Sequence, residues 1–503
     1  MEDKEKNLTS EPDLDEYDEE DELDVRRRIQ AARQKIQAER NTDRQNAEQK
    51  AAGRERTEQN DAGHRKMGEE HSRQRFRREK KISRRTILFA CMGGTILVLL
   101  LAVLALGMSK RKGSSGTGEE GREALLSSGS AALADSNELS ENSSKNTSTH
   151  QAAAEPAEDQ EITILAAGDN LIHQAINLQY QTVDGGYDYT PAYADVKDEI
   201  SQADIAYVNS ETPMAGDIFP VSGYPVFNTP PQNADALVDA GFDIVNQGNN
   251  HACDMGADGI ARTLQVWQER NIPVTGMYQD DADLHTMRII EKNGIRVAFL
   301  GFIEMMNRDI PDSYQFVFIQ DEDKVKSLIE EAKQQADLVV VSVHWGTEYT
   351  TVLSERQLDM GQKMADWGAD IIFGSHPHVI QKLDVLTRES DGRKVPIIYS
   401  LSNFISAMPW KQELLGGFLT VKVVKDGATG EIYPDSMQFT PLVSWYGDCY
   451  SNLHVVRFET LDEATAEQHG IRNTDSVLTR DYIQTMVDEC IPAQYQGQFG
   501  KIE

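Results

Sequence analysis

A run of 23 residues without a single charge, Thr86–Met108 (TILFACMGGTILVLLLAVLALGM), divides this chain into parts that must meet different solvents. About 20 apolar residues cross a bilayer as a helix, whereas the apolar stretch of a secretory signal is shorter, roughly 7–15. Here 85 residues precede the run and no small-residue cleavage site follows it, which sets it apart from a signal peptide. Arg73, Arg75, Arg77, Arg78, Lys80, Lys81, Arg84 and Arg85 flank it on the N-terminal side. Beyond it stand only Lys110, Arg111 and Lys112 before the chain turns acidic at Glu119 and Glu120. Basic residues stay on the cytoplasmic side of a membrane span. The expectation is therefore a single-pass cell-membrane protein with its N-terminus in the cytoplasm and everything after Met108 outside.

Residues 1–85 have almost no apolar periodicity, and 25–82 are rich in Gln, Glu, Arg and Ala, which predicts a cytoplasmic tail of disordered or solvated helix. Residues 109–160 are a low-complexity linker of Ser, Gly, Ala, Glu and Asn, the composition of a flexible tether. Of the chain's 82 acidic and 50 basic residues, 22 of each fall in residues 1–85, leaving 60 against 28, and the whole net charge of −32, beyond. An exterior that acidic repels nucleic acid and anionic lipid headgroups, which argues against both as partners. Four cysteines are too few for a disulfide framework; with Cys91 in the apolar run, any pairing among Cys253, Cys449 and Cys490 stays open.

From Glu161 the texture changes to strand-length apolar runs alternating with amphipathic stretches. The pattern predicts strands at Ile162–Ala167, Phe242–Asn246, Arg296–Ile303, Leu338–Val343, Asp370–Phe373 and Pro396–Leu401. Helices are expected near Ala234–Ala240 (ended by Gly241), over Gly256–Arg270, Glu322–Gln335 and Ser354–Trp367. Such alternation predicts an α/β domain on a central sheet, over residues 161–460. After Gly416 two antiparallel strands, Phe418–Lys425 and Glu431–Phe439, are joined by an Asp426-Gly427 turn, and residues 461–503 form a helical extension packed on the domain.

The polar residues of this domain fall at the ends of its apolar runs. Ile162 to Gly168 leads to Asp169, with His173 four positions on; Asp204 to Val208 leads to Asn209 and Glu211. Phe242 to Asn246 leads to Asn250, His251 and Asp254; Leu338 to Val343 leads to His344 and Glu348. Asp370 to Gly374 leads to His376 and His378, and Pro396 to Leu401 leads to Asn403. In open α/β sheets ligands bind at the carboxyl ends of the strands, and two imidazoles two apart in a tight loop can face one metal. Asp169 alone fits a turn start as well as a site, and a lone His251 is more often a loop histidine; the combination favours a metal or phosphate-like site. Cys253 reads as a structural cysteine, and Trp345 and Trp367 as packing residues. No Gly-x-Ser-x-Gly elbow, HExxH helix or phosphate-cradling glycine loop is present, which removes serine-hydrolase, zincin and nucleotide-binding readings.

The blocks AAGDNLIH (166–173), VNSETP (208–213), FNTPP (227–231), GFDIVNQGNNHACDMG (241–256), VSVHWGTEY (341–349), GADIIFGSHPHVIQ (368–381) and IIYSLSNF (397–404) resemble, in order, the signatures of the CapA (PGA_cap) family. The resemblance spans roughly residues 162–405. It implies capsule synthesis of the poly-γ-glutamate type and a calcineurin-like metallophosphoesterase fold, with central sheet or sheets flanked by helices. It further implies a divalent-metal centre of the Mn, Fe or Zn class, held by Asp169, Glu211, Asn250, His344, His376 and His378, with His251 as the catalytic proton donor. His173, Asn209, Asp254, Glu348 and Asn403 are further pocket candidates. Two departures matter: Leu171 stands where an imidazole is usual, and the bridging Asp has become Glu211 or Asn209.

Two functions stay open on this reading. One is a metal-dependent hydrolase or transferase acting on a cell-envelope polymer. The other is a non-catalytic subunit that binds or guides such a polymer beside other membrane components of a synthesis complex. A domain this negative does not attract a polyanion through its bulk field, so the polymer is another one, or is met only at its end.

Overall fold

The computed structural model describes residues 158–311 and 314–503. The apolar run 86–108, the tail before it and the linker as far as residue 157 lie outside the described residues. Among the described residues no helix is long and apolar enough to cross a membrane.

In chain order the strands are β1 (Gln160–Asn170), β2 (Ile205–Ser210), β3 (Ile244–Asn246), β4 (Val274–Thr275), β5 (Arg288–Lys292), β6 (Ile295–Ile303), β7 (Leu338–His344), β8 (Ile371–Ser375), β9 (Leu383–Thr387), β10 (Lys394–Ile398), β11 (Asn403–Ile405), β12 (Leu415–Lys425), β13 (Ile432–Trp445), β14 (His454–Arg457) and β15 (Gly500–Lys501). They form two sheets rather than one. The larger runs β14-β13-β12-β1-β2-β3-β4, with β11 added beside β1 and β15 beside β13; the smaller runs β5-β6-β7-β8-β10-β9. β1 to β4 are mutually parallel, as are β6, β7, β8 and β10, while β12 to β14 are antiparallel.

Alternation along the strands explains the stacking. Successive side chains of a strand point to opposite faces. Val297 and Phe299 of β6, Leu338 and Val340 of β7, and Ile371 and Phe373 of β8 share one core with Ile162, Ile164, Tyr207 and Val245 of the larger sheet. Their neighbours Ala298, Leu300, Val339, Val341 and Ile372 face the other way, into a second core with Val325, Leu328 and Ile329 of helix Glu322–Gln335 and Met360 and Met364 of helix Glu355–Trp367. Tyr207 and Phe373 meet across the gap with ring centroids 5.5 Å apart, so the two sheets are packed face to face. Helices Gln232–Ala240 and Gly256–Glu269 contribute Leu237, Ala240, Val266 and Trp267 to the larger core. Residues 461–503 carry helix Arg480–Cys490, whose Ile483, Val487 and Cys490 are buried in that same core.

Two glycines let the loops close over the strand ends. A Cβ on Gly168 would lie 2.0 Å from the Ser402 carbonyl oxygen, and one on Gly374 2.0 Å from that of Tyr399. No side chain fits at either point, and each glycine sits one or two residues from a site residue of the same strand end.

Candidate metal centre

The parallel strands of both sheets deliver their C-terminal ends to one edge. Asp169 is the penultimate residue of β1, Glu211 follows β2, Asn250 lies in the turn after β3, His344 ends β7, and His376 and His378 follow β8. None of the six is more than 5% exposed. Donor atoms of Glu211, His376 and His378 all lie within 4.8 Å of one another, and so do those of Asp169, Glu211 and His344. Glu211 belongs to both sets. Its Oε1 is 3.6 Å from His344 Nε2 and 3.7 Å from His378 Nε2, and Asn250 Oδ1 is 3.0 Å from His344 Nε2.

A ring of amides and one hydroxyl orients these donors. Asn209 is fully engaged: its Nδ2 donates to Asp169 Oδ1 at 2.8 Å, and its Oδ1 accepts from Asn246 Nδ2 at 2.8 Å. Between the two bridging candidates, then, Glu211 carries the free donor atoms and Asn209 acts as a support. Asp169 Oδ2 also accepts from the His376 backbone N–H at 3.2 Å. His378 Nδ1 lies 3.0 Å from Asn403 Oδ1 and 3.3 Å from Asp169 Oδ2. Asn403 is fixed the right way round by donating its Nδ2 to the Glu413 carbonyl at 2.7 Å. Two acceptors at Nδ1 place the proton there and leave the Nε2 lone pair facing Glu211. His344 Nδ1 is held by Ser375 Oγ at 2.9 Å. Supports of this kind set the tautomer and aim of a metal-ligating imidazole. The backbone adds strain, since His376 (φ 96°) and His378 (φ 57°) both occupy the left-handed region that few non-glycine residues adopt.

Beside this cluster, Asp254 Oδ2 accepts from the Phe227 N–H at 2.7 Å and lies 2.8 Å from His251 Nδ1. A carboxylate pinned in this way accepts a hydrogen bond from Nδ1–H and leaves Nε2 available. Phe227 packs edge-on against His251 with centroids 4.7 Å apart.

The electrostatics describe a site short of positive charge. Burial, then the nearby Asp169, raises the Glu211 carboxyl well above its ordinary range. Burial, then His376 and His378, lowers His344 well below 6.5, and burial brings His376 down to about 3. In His378 burial works the other way from the outcome: the hydrogen bond and charge of Asp169 outweigh it and raise the imidazole. Both Glu211 carboxylate oxygens and His376 Nδ1 are buried without any hydrogen-bond partner. Buried polar groups are ordinarily paired, and buried charges are paired or coordinate metals. This donor set of carboxylate oxygens and imidazole nitrogens fits a divalent ion of the transition series.

His173 joins neither donor set. Its Nδ1 lies 3.1 Å from the Leu171 carbonyl and accepts from the Ala407 N–H at 3.3 Å. Leu171 packs with Phe227 and Met408 in a small apolar cluster instead of pointing a donor inward. Cys253 is buried and its thiol is pushed up to about 12 by burial and by Asp254, which suits a packing role. Trp345 donates Nε1–H to the Tyr399 carbonyl and stacks on that ring. Glu348 is half-buried, and its charge acts on Glu211 and His378. Three residues near the centre were not foreseen: Glu413, Tyr349 and Tyr224. Tyr349 ended a motif block and was visible there; Glu413 lies in an unremarkable Lys-Gln-Glu-Leu segment.

Residues 163–408 match the family model described as "Bacterial capsule synthesis protein PGA_cap". The chain is similar to the capsule biosynthesis protein CapA of Bacillus anthracis, 36% identical over 184 residues, covering 35% of this chain and 43% of that one. It is also similar to the PGA biosynthesis protein CapA of Bacillus subtilis, 32% identical over 216 residues, covering 42% and 55%. The chain thus spans about half the length of these curated relatives. Among solved structures it is similar to a phosphatase from Mycoplasma pneumoniae (15% identity, TM-score 0.37, 57% of this chain and 95% of that one). A 5'-nucleotidase from Candida albicans is a second such neighbour (12% identity, TM-score 0.30, 54% and 52%). Likeness as slight as these last two carries no argument about chemistry.

Proposed function

We propose, from the match of residues 163–408 to the bacterial capsule synthesis family model PGA_cap, a membrane-anchored protein that handles a poly-γ-glutamate-type envelope polymer outside the cell, through a divalent-metal centre. The ligands in this reading are Asp169, Glu211, Asn250, His344, His376 and His378. One observation carries it: the fully buried Glu211 carboxylate has no partner on either oxygen, at the meeting point of both donor sets. When bound, the ion supplies Lewis acidity and lowers the pKa of a water. The chain's own residues do the rest. Asn209 and the His376 N–H hold Asp169, Asn403 holds His378, and Asp254 holds His251 through Nδ1 so that the ring, when protonated on both nitrogens, would give its Nε2 proton to a leaving group and return to the neutral form.

The test is metal analysis of the purified protein after exposure to Mn, Fe or Zn and removal of excess. Wild type should retain bound ion, and His376→Ala should lose most of it. Equal and negligible content in both would end the metal reading.

A second reading, a polymer-binding or assembly subunit without catalysis, draws on the apolar Leu171 where an imidazole is usual and on the His173 ring turned to backbone groups. His251→Ala separates the two. As an enzyme the protein should lose polymer turnover while keeping its metal; as a binding subunit it should keep both polymer binding and capsule production.

A further inference from the structure

Tyr349 stands in the loop after β7 with φ 66°, in the left-handed region where a Cβ crowds the following carbonyl oxygen. The turn explains that conformation but not the side chain. In it the Tyr349 N–H donates to the Pro377 carbonyl at 2.8 Å, and the Trp345 N–H donates to that of Ser375 at 3.1 Å, so the loops after β7 and β8 run side by side. The Thr350 carbonyl accepts from Gln381 Nε2 at 2.9 Å, and Gln381 is held in turn by Gln357 Nε2 at 2.8 Å. Glycine serves a left-handed turn at no steric cost, and Gly346 of the same loop does so at φ 89°. Core packing gives no reason for a ring either, since Tyr349 is 44% exposed.

What the ring meets is His378. The two lie with centroids 6.1 Å apart and planes 28° from parallel, within the range of offset stacking. Contacts to Asn403 and Asp169 anchor His378 at Nδ1 only and leave the imidazole free to swing about that corner. Its Nε2, on the far side of the ring, has to keep its aim at Glu211 Oε1, 3.7 Å away. A neighbour lying on the ring face removes the swing. His376, with its centroid 6.0 Å away and its plane tilted by 54°, does not serve, because its own Nδ1 has no hydrogen-bond partner to hold it.

We infer that Tyr349 is a positioning residue of the metal centre: its ring holds the His378 imidazole in the plane that aims Nε2 at Glu211, and shields that ligand from bulk water. This rests on the metal reading proposed above and adds to it a residue outside both donor sets, acting through a ring face rather than a hydrogen bond. The strained backbone at residue 349 persists because only a side chain at that point covers His378.

Cobalt(II) titration of the full-length protein in detergent tests this, with affinity read by competition against a chromophoric chelator and ligand geometry by the visible absorption of the bound ion. Tyr349→Ala should weaken Co(II) binding about tenfold and alter its absorption bands, as the loss of a group that supports a ligand does. Tyr349→Phe keeps the ring and should bind within about twofold of wild type. Tyr349→Gly removes ring and strain together. In chelator it should melt about 2 °C above Tyr349→Ala, yet bind Co(II) no more tightly than that variant. Melting curves in chelator should show all three variants folded, since the ring is half-exposed. Wild-type affinity and spectrum in Tyr349→Ala, or affinity restored by Tyr349→Gly, overturns the inference and leaves the metal reading standing: the first makes the ring idle, the second assigns the effect to the backbone. A wild type that binds no Co(II) overturns the metal reading, and the role of Tyr349 with it.

Discussion

Replacing Glu211 by Gln should make the metal-free protein more stable and the metal-bound protein impossible. In the metal-free state the wild-type carboxylate is fully buried with both oxygens unpartnered and with Asp169 beside it. An unsatisfied buried group costs about 1–3 kcal/mol, more if charged. The amide has the same shape, carries no charge and can donate to the Asp169 carboxylate. In a domain this large one kcal/mol moves Tm by about 2 °C, so the variant should melt about 2–6 °C higher in chelator at pH 8. The gain should depend on pH with a definite sign. Because the folded carboxyl of Glu211 is raised, the folded state keeps a proton that the unfolded chain has already released. Wild-type stability therefore falls as pH rises from the ordinary carboxylate value of 4.5 toward the folded one, and the full penalty is present above it. The difference between variant and wild type should vanish near pH 4 and widen toward pH 8. His378, also raised, adds a loss on rising pH above 6.5, and the lowered His344 and His376 act oppositely below 6.5, but all three are common to both proteins. Adding metal at a hundredfold excess over Kd stabilises wild type by about 2.7 kcal/mol, near 5 °C, and should do little for the variant. Scanning calorimetry with chelator, Mn, Fe or Zn reads both effects. A variant that melts below wild type in chelator at pH 8, or that keeps a full metal-induced rise, would refute the reasoning.

Three further outcomes are expected. Asn250→Ala should lower metal content less than His376→Ala does, since an amide oxygen is the weaker ligand, as read by elemental analysis of the two proteins side by side. Leu171→His places an imidazole beside Asp169 and should raise bound metal per chain, at a stability cost of about 2–5 kcal/mol for losing the apolar contacts to Phe227 and Met408; unchanged metal in a folded variant would count against the donor assignment. A reporter that works only outside the membrane should be active when fused after Glu503 and silent at Met1, and the reverse pattern would overturn the orientation drawn from the basic residues before Thr86.

The elements that were legible in the sequence are those with one dominant physical signal. Helix Glu322–Gln335 is found at its expected ends because Asp321 caps it and a single apolar stripe, Val325, Leu328, Ile329 and Ala332, faces the sheet. Helix Glu355–Trp367 begins at the capping box of Ser354 and Gln357 and so starts one residue inside the expected range. What was not legible is the second sheet. β6, β7 and β8 are apolar on both faces, because one face meets the other sheet and the other face meets helices, and a run buried on both sides has no period to betray its two cores. The edge strands β5 and β9 are half-exposed and chemically mixed, so nothing distinguished them from loop.

The site divides in the same way. Asp169, His344, His376 and His378 were visible because polar residues that end apolar strands are brought to one edge by any parallel sheet. The choice between Asn209 and Glu211 was not, since neighbouring residues at a strand end differ only in which way they point. Geometry decides it: Asn209 spends both ends of its amide on Asp169 and Asn246, and Glu211 spends neither oxygen. The same logic bears on how many ions the centre takes. With Leu171 packed into an apolar cluster and His173 engaged with backbone, the converging donors form two sets of three that share Glu211, one with Asp169 and His344 and one with His376 and His378, and Asn250 Oδ1 stands 3.0 Å from His344 Nε2 beside the first. Four protein donors close a tetrahedral site and three leave it a position open to water. A lone ion should therefore settle first in the set of Asp169, Glu211 and His344, which Asn250 would complete, and any chemistry on a water or substrate oxygen belongs to the set of Glu211, His376 and His378, which keeps a position open.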